Sequence, residues 1–330
     1  SLHDALPILQ SSVRSVTVSR PHSQRTQALF RVEFHNHTHV TICVRLFAHF
    51  EPRELIMPLP HKSSYAVPSL NLKGLKALVV TTSHATLDRI DPATGAVLKR
   101  GRATGVYASE MTEPYYVFLD AGMDVDVASI KGGAIPVETL SVTPLVRTDY
   151  DKRFLSDPVL RAKVDNSLCI ADLNFTDYDV VFMAGGWGAA YDLAQSDVLS
   201  RKISEAHAAG RWLGSVCHGA LGFIGATKPD GSPLVAGVKI TGVTNRQIQQ
   251  LGISITPKHP ETELRNAGAL FECTHALIEM TANHVVVDMA HKIVSAQNQK
   301  GGVEAAVKAL QALKDSKKGT ASPASTVEAA

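Results

Sequence analysis

Residues Arg211-Trp212-Leu213-Gly214-Ser215-Val216-Cys217-His218-Gly219-Ala220 form an apolar, strand-like run that ends abruptly in a Cys-His pair followed by two small residues. A strand that enters a helix through a tight turn holds the turn residue in strained backbone. It lifts that side chain into a cleft and points it at the amides of the following helix. The positive end of such a helix favours the thiolate, which is the nucleophilic form of cysteine. This reading makes Cys217 a nucleophile on an elbow. Free cysteine is also among the most often buried residue types, so the competing reading is ordinary core. Context favours the elbow. Upstream, Asp179-Val180-Val181-Phe182-Met183-Ala184-Gly185-Gly186-Trp187-Gly188 is a second buried strand that runs straight into a glycine turn. Glycine at a strand end lets backbone N–H groups approach a substrate closely, and two such ends line one crevice.

Around these two runs strands and helices alternate, the pattern of a doubly wound α/β sheet. Lys76-Ala77-Leu78-Val79-Val80-Thr81-Thr82 is nearly continuous in apolar residues, which marks a central parallel strand. A helix is expected from Gly105 to Leu119 with Gly122 as its stop, then the Val125 strand and a helical stretch from Pro158 to Val164. The Val180 strand, a helix from Ser196 to Ala209 closed by Gly210, and the elbow strand follow. An amphipathic helix from Gly301 to Leu313 ends the domain. In such sheets ligands bind outside the carboxyl ends of the strands, where both the elbow and the glycine turn fall.

The 330 residues suffice for one large α/β domain with an appendage. A formal charge of +2, with no block of like charges, argues against nucleic acid or an anionic membrane as partner. Cys43, Cys169, Cys217 and Cys273 are scattered, which suggests neither a disulfide framework nor a cysteine-rich metal site, and makes a reducing compartment the default. No apolar stretch reaches membrane-spanning length, and the first residues lack a secretory pattern. Residues 1–72 show no clear periodicity: they are an extension packed on the domain, a disordered leader, or a stretch foreign to the gene. Residues 315–330 read as a disordered tail, leaving 73–314 as the domain.

The elbow, the Ala184-Gly185-Gly186-Trp187-Gly188 turn, and Lys131-Gly132-Gly133 after Val125-Asp126-Val127-Ala128-Ser129 occur in an order that resembles the ThiJ/PfpI superfamily. Its fold is similar to the class I glutamine amidotransferase domain. Thr104-Gly105-Val106-Tyr107-Ala108-Ser109-Glu110 followed by Pro114 resembles the branch of glyoxalase III and heat-shock-type chaperones. The resemblance extends through the 237–245 segment to Ser295-Ala296-Gln297-Asn298, and covers about Leu75 to Leu313. It implies a flavodoxin-like three-layer sandwich with a mostly parallel central sheet.

The resemblance also assigns roles. Cys217 is the nucleophile. Glu110, rather than Glu113, is the acid that hydrogen-bonds the cysteine as a neutral carboxyl, kept so by burial. His218 moves protons, as suits an imidazole. Gly185, Gly186, Trp187 and Gly219 line the substrate and oxyanion region, with the N–H groups of Gly186 and His218 as the oxyanion hole. The implied reaction is the glutathione-independent conversion of a 2-oxoaldehyde such as methylglyoxal to a 2-hydroxy acid, without metal or cofactor. A cytoplasmic homodimer is the expected assembly.

Two departures from the family pattern stand out. The acid that orients the histidine in relatives falls on Ile248, leaving Gln247 and Gln249 as the possible orienters; an amide orients an imidazole but does not stabilise imidazolium as a carboxylate does. Trp187 stands where glyoxalase-like relatives carry histidine, and either narrows the pocket or covers the cleft. These departures keep open a stress-linked holding chaperone with Cys217 as oxidation sensor, a scaffold with a degenerate site, and a hydrolase or amidase of another small substrate. Amidotransferase activity proper is disfavoured, because no distant histidine followed by Pro-x-Glu is present.

Overall fold

Buried β-branched and aliphatic runs dictate the architecture. In a computed structural model, which describes residues 13–19, 27–34, 39–45, 65–91 and 93–319, the chain divides into two compact units, Ser1–Met57 and Pro58–Ala330.

In the first unit β1 (Val13–Ser19), β2 (Gln27–Phe34) and β3 (His39–Arg45) form an antiparallel meander in the order β1-β2-β3. The sequence reading found no clear periodicity here and left an ordered extension as one of its alternatives. Short runs such as Val40-Thr41-Ile42-Cys43-Val44, whose β-branched residues favour pleated backbone, fit the strands.

In the second unit the elements follow in order as β4 (Lys76–Thr81), the hairpin β5 (Arg89–Ile90) and β6 (Val97–Lys99), α1 (Ala108–Asp120), β7 (Asp124–Ser129), α2 (Asp149–Ser156) and α3 (Pro158–Asp165). Next come β8 (Leu168–Cys169), β9 (Val180–Met183), α4 (Ala189–Asp192), α5 (Asp197–Ala208), β10 (Trp212–Val216) and β11 (Lys239–Ile240). The chain closes with α6 (Asn245–Leu251), α7 (Pro260–Asn266), β12 (Leu270–Phe271), β13 (Val285–Asp288), β14 (Ile293–Ala296) and α8 (Gly302–Gly319).

Seven strands make the central sheet in the order β13-β14-β10-β9-β4-β7-β8. All neighbours run parallel except β13, which turns back against β14. The sheet thus has the expected flavodoxin-like, mostly parallel form. Alternation along β4 assigns its side chains to two faces: Ala77 and Val79 pack into a core with residues of α1 and α8, while Leu78 and Val80 pack into one with Leu199 and Ile203 of α5. Burial on both faces is why these strands read as continuous apolar runs rather than alternating ones.

Local chemistry sets the helix ends. Ser196 caps α5 by accepting from the Leu199 N–H, and Thr148 and Asp151 form a reciprocal capping box at α2. Two boundaries differ from the sequence reading. Leu72 is buried in the core, and its N–H donates to the Ala121 carbonyl, so the domain takes in residues that had been grouped with the extension. Helix α8 continues to Gly319, past Asp315, where a tail was expected; residues 320–330 of that tail, and residues 1–12, 20–26, 35–38 and 46–64 of the extension, lie outside the described residues.

Candidate active site

β10 lies between β14 and β9, and all five of its residues are buried. Gly214 sits on the Phe182 ring, where a Cβ would collide with it, and this close approach brings the elbow strand against β9. One residue beyond the strand, Cys217 adopts φ +57°, a left-handed conformation that L residues with a Cβ rarely hold and that costs roughly 1–3 kcal/mol. The helix that follows the elbow, Cys217–Phe223, is of the 3-10 type. Its glycines account for the tight path: a Cβ on Gly219 would strike the Met183 carbonyl, and one on Gly222 the Met183 sulfur.

The elbow therefore packs directly on the end of β9 and the Gly185–Gly188 turn. The His218 and Gly219 amide nitrogens and Glu110 Oε2 all lie within 2.8 Å of the point a Gly185 Cβ would occupy. Gly186, at φ +92°, presses against the backbone of Gly105 and Tyr107 and ties the turn to the segment before α1. Only glycine fits at either position.

Glu110 is in the first turn of α1, 2% exposed, and meets the Cys217 thiol. Burial raises its pKa to about 8, against a smaller opposing pull from the thiol and the Gly185 and Gly186 amides. The carboxyl is accordingly neutral at pH 7, with a proton to donate. Glu113, one turn on, accepts from the Val303 N–H at the start of α8. Tyr107, which the sequence reading quoted without assigning a role, interacts electrostatically with Glu110 and Cys217; burial, chiefly, pushes its hydroxyl well above the ordinary phenol range.

Cys217 and His218 are both deeply buried, with Sγ 3.5 Å from His218 Nδ1. Burial first, then the neighbouring Glu110 carboxyl, pushes the thiol pKa up, while the His218 and Gly186 amides pull it down. With Glu110 neutral its charge contribution vanishes and burial remains. The two amides that oppose burial are those of the anticipated oxyanion hole, and they converge on the sulfur.

Burial, and to a lesser degree His259, lowers the His218 pKa to about 3, so the imidazole is neutral. The half-buried Trp187 covers it, ring centroids 4.9 Å apart at 55°, and forms a wall of the site. His218 Nε2 is buried without a hydrogen-bond partner.

Neither glutamine orients this histidine. Gln247 completes a capping box with Thr244 and donates from Nε2 to the Glu279 carbonyl 3.0 Å away; Gln249 is exposed. Ile248 is buried in the core beside the elbow. His259, at the N-terminus of α7, is instead the titratable group that His218 senses, and its own Nε2 is also buried and unpartnered. Sequence reasoning passed over it because a lone histidine forty residues from the elbow carries no spacing signal. Among the described residues no cluster of three or more His, Cys, Asp or Glu side chains could hold a metal ion.

A parallel, doubly wound sheet with a left-handed cysteine at the carboxyl end of a central strand, backed by histidine and a buried neutral glutamate, defines a cysteine-elbow α/β protein. The chain belongs to the DJ-1/PfpI family, whose model matches residues 102–311. Among curated proteins it is similar to Glyoxalase 3 of Candida albicans, 29% identical over 157 residues, covering 47% of this chain and 66% of that relative, just under two thirds of its length. It is 26% identical to a glutathione-independent glyoxalase of Schizosaccharomyces pombe over 223 residues, 65% of this chain and 91% of the relative. Among solved structures it resembles the Francisella tularensis Rapid Encystment Protein 24 KDa, with TM-score 0.64 and 28% identity over 72% of this chain and 99% of that one. It also resembles glyoxalase III from Candida albicans, with TM-score 0.63 and 25% identity over 72% and 97% of the respective chains.

Proposed function

We propose that the protein is a glutathione-independent glyoxalase that converts methylglyoxal, or a 2-oxoaldehyde like it, to the 2-hydroxy acid. The observation that carries this reading is the union of a buried elbow thiol, a neutral imidazole 3.5 Å from it and a protonated Glu110 at one strand end. Relatives bearing the glyoxalase name support it.

In this scheme the Cys217 sulfur attacks the aldehyde carbon while its proton passes to His218 Nδ1. The C–S bond forms, and the carbonyl electron pair moves to oxygen, which the His218 and Gly186 amides stabilise. His218 Nδ1 returns the proton to this oxygen, which completes the hemithioacetal; the neutral imidazole then takes the C1 proton, and Glu110 protonates the developing enediolate oxygen. Return of the proton from His218 to C2, while the C1 hydroxyl gives its proton back to the Glu110 carboxylate, gives a thioester of the hydroxy acid. Water hydrolyses it, releasing acid and thiol, with no external oxidant or reductant. Without a carboxylate behind it the His218 imidazolium is poorly stabilised, so slower turnover is expected than from a site with an orienting acid.

The same reading takes the protein as a cytoplasmic homodimer; among the described residues no helix is long and apolar enough to cross a membrane. The test is incubation of the purified protein with methylglyoxal in the absence of glutathione, with the product identified by proton NMR. Lactate formed in proportion to methylglyoxal lost supports the proposal; protein-independent loss alone overturns it.

A further inference from the structure

A second thiol is wired to a histidine and a carboxylate away from the elbow. Between β12 and β13, Cys273 Sγ lies 3.5 Å from His275 Nε2, and His275 Nδ1 lies 3.1 Å from Glu279 Oε2. Glu279 is fully buried, and its other oxygen takes Arg246 Nε at 3.0 Å and the Ala276 N–H at 3.3 Å. The carboxyl is thus shared between the Arg246 guanidinium on one oxygen and the His275 imidazole on the other. Facing Nδ1, it fixes the tautomer in which Nδ1 carries the proton and the Nε2 lone pair points at the thiol.

The surroundings hold this line of atoms in place. Thr274, between the cysteine and the histidine, is clamped at two points by the Gln297 amide: its N–H donates to Oε1 at 2.9 Å and its carbonyl accepts from Nε2 at 3.0 Å. Gln297 directly follows β14 and is fully buried. From the other side α6 supports Glu279, whose carbonyl accepts from Gln247 and whose N–H donates to Gln250 Oε1 at 2.9 Å. The glutamine that the sequence suggested for His218 thus serves this second arrangement. Cys273 and His275 are both accessible to solvent, unlike Cys217 and His218.

We propose that Cys273, His275 and Glu279 form a second, solvent-facing thiol site that adds reversibly to small aldehydes. Sγ bonds to the aldehyde carbon, and the thiol proton passes to His275 Nε2 and on to the carbonyl oxygen, whose π pair it receives. The product is a hemithioacetal; nothing is oxidised or reduced, and reversal restores thiol and aldehyde. Burial, followed by the Glu261 carboxylate, pushes the Cys273 thiol up, so it rests protonated and reacts through proton transfer to His275. Glu279 acts through His275 and is a positioning residue. The choice of aldehyde rests on the proposed glyoxalase reading; the nucleophilicity of the thiol does not.

The test uses full-length Cys217→Ser protein, in which the elbow reaction plays no part. Alkylation by iodoacetamide is followed peptide by peptide by mass spectrometry, with Cys169, a half-buried thiol facing the Ile130 carbonyl, as internal reference. Because His275 takes its proton as it attacks, Cys273 is expected to react faster than Cys169, to fall to the Cys169 rate in the added His275→Gln variant with its melting temperature unchanged, and to be protected by methylglyoxal until dialysis. Equal rates for the two cysteines, indifference to His275→Gln, or absence of protection by methylglyoxal overturns the proposal. Failure of wild type to turn over methylglyoxal while Cys273 passes these tests would leave this site standing and remove only the elbow assignment.

Discussion

Glu110 and His218 are two buried groups shifted in opposite directions, and both arrive at pH 7 uncharged. Their linkage to pH has opposite signs. A carboxyl raised to about 8 from 4.5 binds its proton more tightly in the folded protein, so its contribution to stability is full below pH 4.5 and is lost as pH rises through 8. A histidine lowered to about 3 contributes stability that is full above its ordinary 6.5 and is lost as pH falls toward 3. Glu110→Gln, which keeps a neutral side chain, is therefore expected to gain stability relative to wild type as pH increases from 5 to 9, as measured by urea melts at each pH. The same substitution removes a proton donor and is expected to lower kcat by roughly 10²- to 10⁴-fold; an undiminished kcat would exclude Glu110 from the chemistry. For His259 the readout is the titration of its neighbour. In His259→Ala the His218 pKa is expected to rise, because a like-charged group has gone, and histidine-selective NMR reads that shift directly.

At the scale of elements, glycines hold the site together more than side-chain bonds do. Gly185→Ala would push its methyl group between Glu110 and the His218 and Gly219 amides. We expect loss of most of the glyoxalase activity, and circular dichroism should show the fold retained. The elements are also where the sequence was most and least informative. β4, β9 and β10 were legible because burial on both faces leaves an unbroken apolar run, and the elbow because a strand that ends in Cys-His-Gly-Ala has little room for another geometry. That placement led to strained backbone at Cys217, which the φ of +57° shows, whereas the neutral Glu110 was expected from the family resemblance. The fate of Gln247 did not, although Thr244-x-x-Gln247 is itself a capping-box signature; the local role outweighed the one borrowed from alignment. Tyr107 and His259 were missed because their nearness to Cys217 and His218 arises only when the turn before α1 and the start of α7 fold over the elbow. The Cys273-His275-Glu279 line was invisible for a related reason: its spacing becomes a relay only when the loop folds back so that both imidazole nitrogens are engaged.

For the whole molecule, the elbow, the glycine turn, Glu110 and both core clusters belong to the unit that begins at Pro58. That unit carries its own hydrophobic core on both faces of a seven-stranded sheet, as an independently folding domain does. Removal of residues 1–57 is expected to leave kcat/KM for methylglyoxal within about twofold of the full chain. A large loss, with the melting temperature unchanged, would show that the first unit takes part in the reaction.

The central claim is that Cys217 is the nucleophile of a glutathione-free reaction on a 2-oxoaldehyde. Its most direct test is the initial rate of methylglyoxal consumption by wild-type and Cys217→Ser protein, matched for concentration and folded state, without glutathione. We expect wild type to turn over repeatedly and Cys217→Ser to fall to the protein-free background. Equal rates from the two proteins would contradict the account, because the reaction would then proceed without the residue around which the elbow is built.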